Sequence, residues 1–210
     1  PQVIKSLDGL LYVGGEFDVT VDGTRLLNLA AWDGTAWQGL NGGVDGAVHA
    51  LAEWDGKLAI GGMFYNPVFH FGLWDGQWYS YPADITGVGW AGGDYVNTLA
   101  VGGGRIYLGG VLNQVGDDIF GTNVFAFDGA AYHELGAGGG FYGNVYSFGK
   151  WNGSLYAGGS FGRSSGSGNL NGIARWDGAR WQSLGGGLQS TGWLELRVRN
   201  LTEYGGQLVL

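Results

Sequence analysis

The sequence predicts an all-β protein, a β-propeller of four-stranded antiparallel blades, and three observations carry that expectation. A short motif recurs through the chain: Leu10-Leu11-Tyr12-Val13-Gly14-Gly15, Lys57-Leu58-Ala59-Ile60-Gly61-Gly62, Arg105-Ile106-Tyr107-Leu108-Gly109-Gly110 and Ser154-Leu155-Tyr156-Ala157-Gly158-Gly159. Turn dipeptides of the Asp-Gly, Asn-Gly and Gly-Gly kind sit at fixed offsets from it. No stretch carries the 3.6-residue apolar period of a helix. Four antiparallel strands in a unit of this length match one propeller blade.

Each element of the unit has a local cause. Strand A is the run before the first turn, such as Ala50-Leu51-Ala52-Glu53-Trp54. The turn is then Asp8-Gly9, Asp55-Gly56, Gly103-Gly104, Asn152-Gly153 or Gly205-Gly206. These dipeptides supply the positive φ angles of a two-residue hairpin. Strand B ends in the glycine pair. Strand C ends in Trp32-Asp33-Gly34, Trp74-Asp75-Gly76, Phe127-Asp128-Gly129 or Trp176-Asp177-Gly178. A second turn leads to strand D with Trp37, Trp78, Tyr132 or Trp181. The blades expected are 1–46, 47–95, 96–143 and 144–196, with a partial fifth over 197–210 whose strand A lies near Val198-Arg199-Asn200-Leu201. The half blade leads to the expectation of an open arc, of edges covered by another chain or by further copies of this one, and of additional chain segments in a longer protein.

Composition agrees with a folded β protein. The 46 glycines are interleaved with ten Trp, eleven Tyr and ten Phe, whose burial offsets the conformational cost of glycine. The formal net charge of −8, with ten Lys and Arg together, opposes nucleic-acid binding and association with anionic membranes. No apolar run is long enough to insert as a membrane span. There is no cysteine, which excludes disulfides, thiolate metal sites and cysteine nucleophiles.

The glycine pair ending the second strand, the aromatic-Asp turn and the Trp that follows together resemble the Kelch repeat. The fuller pattern, Gly-Gly-x-Phe and then Asn-x-Ala-x-Trp-Asp-Gly-x-x-Trp, is similar to the repeats of the fungal cortical cell-polarity marker and of large secreted bacterial repeat proteins. It stands best in Gly14-Gly15-Glu16-Phe17 with Asn28-Leu29-Ala30-Ala31-Trp32-Asp33-Gly34, and in Gly158-Gly159-Ser160-Phe161 with Ile173-Ala174-Arg175-Trp176-Asp177-Gly178. The second and third copies depart from it at Asn66-Pro67 and at Phe127. The resemblance implies a propeller at the cell surface or outside the cell, and no particular reaction.

The repeated residues read first as architecture. Asp33, Asp75, Asp128 and Asp177 are expected in turns, and Trp32, Trp74 and Trp176 in the core between blades. His49, His70 and His133 fall at non-equivalent places, so no metal or acid–base centre is expected from them. With alternating strand directions, the A–B and C–D turns share one face of the propeller. The B–C and D–A segments 16–27, 81–96, 111–122, 160–171 and 184–197 share the other. Binding residues concentrate on irregular loops over a rigid scaffold. The candidate contact residues on that face are Trp90, Tyr95, Phe141, Tyr142 and Trp193, with the acids Asp94, Asp117 and Asp118. Aromatics beside acids suit a protein or carbohydrate partner. Asp18, Thr20 and Asp22 place oxygens at alternate positions, which makes calcium the one candidate cofactor. The function expected is a non-enzymatic binding or structural module. The competing expectation is a polysaccharide-acting enzyme, a glycoside hydrolase or lyase using a carboxylate pair such as Asp94 and Asp117.

Overall fold

The computed structural model describes residues 1–79, 93–115, 119–120, 123–136, 140–164, 167–189 and 196–210. Among these the regular structure is β throughout. The first sheet is β1 (Val3–Leu7), β2 (Leu10–Val21), β3 (Thr24–Trp32) and β4 (Trp37–Gly39), antiparallel in chain order. The second repeats it with β5 (Ala47–Trp54), β6 (Lys57–Met63), β7 (Phe71–Trp74) and β8 (Trp78–Tyr79). The third sheet holds β9 (Tyr95–Gly102) and β10 (Arg105–Val111). A small hairpin follows, β11 (Gln114–Val115) with β12 (Ile119–Phe120), before β13 (Val124–Phe127) and β14 (Tyr132–Glu134) complete the sheet. Next come β15 (Phe141–Tyr142), β16 (Val145–Trp151), β17 (Ser154–Gly159), β18 (Arg163–Ser164), β19 (Ser167–Asn169), β20 (Ile173–Trp176) and β21 (Trp181–Ser183). Of these, β16, β17, β20 and β21 form the fourth four-stranded sheet, and β15, β18 and β19 form a three-stranded one beside it. The last pair is β22 (Thr202–Tyr204) with β23 (Gln207–Val209). Residues 197–201, expected to begin that pair, lie outside its strands; Val198 instead donates its N–H to the Gly159 carbonyl at 3.0 Å.

The first strand of each unit packs against the first strand of the next: β1 on β5, β5 on β9, β9 on β16 and β16 on β22. An apolar cluster fills each junction. Leu29, Leu58, Ile60 and Phe64 occupy the first, Leu73, Ile106, Leu108 and Phe125 the second, and Phe141, Ala157, Phe161 and Trp181 the third.

The glycine pairs are explained at these junctions. A Cβ on the first glycine of a pair would lie 2.5 Å from Val48 at Gly14, 2.5 Å from Val96 at Gly61, 2.6 Å from Val145 at Gly109 and 2.5 Å from Val198 at Gly158. In every case the valine belongs to the following unit. A Cβ on the second glycine would run into a backbone carbonyl, that of Ala47 at 2.1 Å for Gly62, Tyr95 at 2.0 Å for Gly110 and Asn144 at 2.0 Å for Gly159. The first glycine is therefore bare so that the next unit's strand A can lie on strand B, and the second so that strand B clears the start of its own strand A.

The first turns have the expected geometry. Asp8-Gly9, Asp55-Gly56, Gly103-Gly104, Asn152-Gly153 and Gly205-Gly206 all have positive φ at both positions, the mark of a type I′ hairpin. Each aromatic ending strand C faces its strand D partner in register. The ring centroids are 5.3 Å apart for Trp32 and Trp37, 5.2 Å for Trp74 and Trp78, 4.9 Å for Phe127 and Tyr132, and 5.2 Å for Trp176 and Trp181. The expectation that Trp32, Trp74 and Trp176 are all core residues needs correcting. Trp74 is buried, but Trp32 and Trp176 are only half-buried, because they stand next to the turn where the sheet meets solvent. In the fourth unit it is Trp181 that is fully buried, at 1% exposure.

Two outcomes follow from this packing. Gly61→Ala should lower stability by about 1–3 kcal/mol, as overpacking does, and Val96→Ala in the same chain should recover part of the loss; additive effects in a double-mutant denaturation cycle would refute the contact. Trp181→Ala should cost about 3–5 kcal/mol and Trp176→Ala distinctly less, read from urea midpoints.

Candidate functional site

The two faces of the chain differ in the way their loops are held. On the A–B/C–D face the Asp series closes the loops. Asp33 Oδ1 accepts the N–H groups of Thr35 and Ala36 at 2.8 Å each. Asp128 Oδ1 does the same for Ala130 and Ala131 at 2.9 Å each, and Asp177 Oδ1 for Ala179 at 2.9 Å and Arg180 at 2.8 Å. The second oxygen takes Gln38, His133 or Gln182 from strand D. In the second unit the loop is a residue shorter, and Asp75 holds Tyr79 and Lys57 instead. These hydrogen bonds favour the ionised form: a side-chain bond from Thr35 is the main cause at Asp33, and backbone N–H groups are the main cause at Asp128 and at Asp177; all three are held below the ordinary carboxylate value, Asp177 at about 2. The series is turn chemistry.

The B–C/D–A face carries the additions. Segment 16–27, expected as a loop, is a continuation of the sheet: Asp18 pairs with Leu27, Val19 with Leu26, Thr20 with Arg25 and Val21 with Thr24. Asp22-Gly23 is its two-residue turn, with φ of 48° and 80°. The same Asp-Gly signal that marks the A–B turns was present here. The β11–β12 hairpin and the β15, β18 and β19 sheet lie in the corresponding segments of the third and fourth units.

Beneath these additions each strand C is entered through a left-handed residue: Asn28 (φ 58°), His70 (φ 58°), Asn123 (φ 69°) and Gly172 (φ 81°). Asn28 Oδ1 accepts the Phe17 N–H at 2.8 Å, and its Nδ2 donates to the Val44 carbonyl at 2.9 Å. Asn123 likewise joins Leu112, at 2.9 Å, to Phe141, at 3.1 Å. One side chain thus ties the B–C loop to the following D–A segment. The first strands of the second, third and fourth units each carry a bulge, at His49, Asn97 and Tyr146. Asn97 Nδ2 donates to the Val145 carbonyl of the next unit at 2.8 Å, and His49 makes the equivalent approach to the Val96 backbone.

The expected contact residues separate by burial. Tyr142 is exposed, with the Arg163 guanidinium over its ring at 4.7 Å. Tyr95 is half-buried, its ring set edge-on to His49 at 5.7 Å. Phe141 is fully buried, stacked on Phe161 at 4.0 Å and against Trp181 at 4.7 Å. It belongs to the core, because alternation along β15 sends Phe141 inward and Tyr142 outward. Asp94 is also buried. It accepts the Asn113 side-chain amide at 2.6 Å, and burial pushes its pKa up against the hydrogen bonds from Asn113. It is a loop tie like Asp45, whose Oδ1 accepts the N–H of Tyr65 at 2.7 Å and of Asn66 at 3.0 Å. Trp90, Trp193, Asp117 and Asp118 lie outside the described residues.

Of the calcium candidates, Asp18 is held by Arg25 through two hydrogen bonds of 2.8 and 2.7 Å, so a cation there would have to displace the guanidinium. Asp18 and Thr20 share one side of β2, and Asp22 sits in the turn. Among the described residues no three His, Cys, Asp or Glu side chains gather as a metal site.

Exposed aromatics that the sequence reading passed over stand on the second unit. Tyr65 is 47% exposed and Phe69 41%, their rings edge-to-face at 6.0 Å. His70 lies beneath Tyr65 with ring centroids 4.8 Å apart. Met63, 39% exposed, borders the pair; its Cε and the Tyr65 hydroxyl both approach Gly93. The signal available in the sequence was the shortened B–C segment of the second copy, where Tyr65-Asn66-Pro67-Val68-Phe69 follows the Gly-Gly-Met-Phe motif directly and strand C comes soon after.

No protein-family model matches this chain, and no curated protein does. Among solved structures it is similar to the computationally designed Ika8 protein, with a TM-score of 0.54 at 17% identity over 98% of this chain and 53% of that one. The chain therefore spans about half the length of that protein, and the likeness is one of fold.

The half-buried His49 and the buried His70 generate a pH dependence. Burial holds the imidazoles of His49 and His70 below the ordinary 6.5, partly countered at His49 by the Val96 backbone and Glu16 and at His70 by the Gly62 backbone and Asp45. A group with a depressed folded pKa contributes stability that is present above its unfolded pKa and lost as pH falls through the folded value. The melting temperature should therefore decline as pH falls from about 7 to about 5. His49→Asn with His70→Asn places in the second unit the residues found at these positions in the third, Asn97 and Asn123. The double variant should fold and lose that decline; an unchanged pH profile would show that the histidines do not cause it.

Proposed function

We propose that the four sheets are blades of a β-propeller and that the chain is a non-enzymatic binding module working at the cell surface or outside the cell, with its ligand on the B–C/D–A face. The observation that carries this reading is the asymmetry of the two faces. One is a series of near-identical turns tied down by Asp33, Asp75, Asp128 and Asp177. The other gathers the extended β2–β3 hairpin, the β11–β12 hairpin, the β15, β18 and β19 sheet and the exposed rings of Tyr65, Phe69 and Tyr142. A rigid scaffold with variation confined to one face is the arrangement of a recognition surface.

The placing of the units supports the propeller: first strands lie side by side along successive sheets, each seated on the glycine pair of the unit before. The carboxylates described on the loop-rich face favour binding over hydrolysis, because Asp18 holds Arg25, Asp45 holds backbone N–H groups and Asp94 holds Asn113. The location rests on the Kelch-like resemblance. The partner classes are protein and carbohydrate.

Screening the purified chain on glycan and protein-partner arrays should return a ligand whose binding weakens when loop-rich-face residues are changed and persists when Asp55 or Asn152, on the opposite turns, are changed. Release of reducing ends from a polysaccharide by the chain alone would replace this reading with an enzymatic one.

A further inference from the structure

Tyr65 and Phe69 are large rings left 47% and 41% exposed, yet each is held in place. The loop beneath them is pinned where Asp45 Oδ1 accepts the N–H groups of Tyr65 and Asn66. The His70 N–H donates to the Phe64 carbonyl at 2.9 Å, closing the segment at its other end. The Tyr65 ring rests on the buried His70 imidazole at 4.8 Å and meets Phe69 at an interplanar angle of 88°. The result is a fixed right-angled corner of two aromatic surfaces, with Met63 at its edge. Neither ring serves the junction clusters: the apolar side chains of this segment that enter the first junction are Phe64 and Val68. Their exposure costs apolar burial that a purely structural loop would recover by turning them inward.

The size of the corner limits its ligand. A ring offers roughly 150–250 Å² in all, so two rings less than half exposed present on the order of 200 Å². A stable protein partner covers about 800 Å² on each side. A single sugar ring matches the smaller area: its C–H face is apolar and flat enough to lie on an aromatic ring, and its hydroxyls radiate from the edge. An acceptor for those hydroxyls stands beside the corner. Asp45 is exposed and uses Oδ1 for both backbone bonds, which leaves Oδ2 available.

We propose that Tyr65 and Phe69, with Met63 at the edge and Asp45 Oδ2 as acceptor, form a binding platform for one sugar residue of an oligosaccharide. The proposal rests on the reading of the chain as a loop-face binding module and names the ligand class and the place on that face. Preorganisation carries the affinity, since the corner needs no ordering when the sugar docks.

The test is calorimetric titration of the whole chain with gluco-, manno-, galacto- and N-acetylglucosamine oligosaccharides. At least one series should bind. Tyr65→Ala and Phe69→Ala should each weaken it by about tenfold or more. Asp45→Asn keeps the Oδ1 acceptor for the loop and replaces Oδ2 by an amide; it should weaken binding with an unchanged melting temperature. Tyr204→Ala, at the 79% exposed ring of β22, should leave affinity within about twofold. Sugar binding that survives Tyr65→Ala and Phe69→Ala, or that is lost equally in Tyr204→Ala, overturns the platform while leaving the binding module standing. Binding of a protein but of no sugar series overturns the ligand class. Binding of nothing on any array overturns both readings.

Discussion

The contact on which the other features depend is that between a glycine on one unit and a valine on the next. Val48, Val96, Val145 and Val198 each occupy the space where the preceding strand B would carry a side chain, and the second glycines Gly62, Gly110 and Gly159 meet a backbone carbonyl at the start of their own unit's first strand as closely. Interiors are packed too densely to absorb a methyl group at such a point without displacement. Strand B of one unit and strand A of the next can therefore approach to backbone distance, and the approach sets where each successive sheet stands. Next to the valine, the first strands of the second, third and fourth units each carry a bulge, at His49, Asn97 and Tyr146. The His49 and Asn97 side chains reach the backbone of the following unit, while the Tyr146 hydroxyl accepts a hydrogen bond from Ser160 of its own unit.

Hydrogen bonds then lock the junctions. Trp54 reaches the Gly104 carbonyl at 3.2 Å and Trp151 the Gly206 carbonyl at 2.8 Å, so an indole at the end of one strand A caps the first turn of the next unit. On the opposite face Asn28 and Asn123 do comparable work between loops. The second unit departs from this plan. His70 takes the Asn position, and its ring goes under Tyr65. The departure coincides with a place where two exposed rings are held at a right angle, which connects a change in a structural side chain to the shape of the surface above it.

The division between the faces has a simple origin. The A–B turns need two residues of positive φ and nothing else, so they repeat. The B–C and D–A segments are tied at their bases by the left-handed residue and the glycine pair, and what lies beyond the tie is unconstrained by the junctions. Hairpins such as β11–β12 and the extension of β2 and β3 can be added there without disturbing the packing below.

The sequence by itself determined the repeat, its four strands, the five first turns and the tying role of the Asp series, because each of these is encoded locally: positive φ in Asp-Gly and Gly-Gly, short-range hydrogen bonding in Asp, alternation in the strands. Only the tertiary structure decided which rings are surface and which are core. Phe141 and Tyr142 are adjacent aromatics in the same strand, yet one stacks on Phe161 and the other lies under Arg163. Asp94, read as a contact residue, is buried because Asn113 of the neighbouring loop closes over it, and Asp18, read as a metal ligand, is taken by Arg25 once 16–27 folds back as a hairpin. Exposure is a property of what the next unit and the next loop bring to a side chain, and those partners lie 7 to 21 residues away along the chain. A residue's own neighbours in sequence carry the hairpin that holds it, and only the packed units decide what it faces.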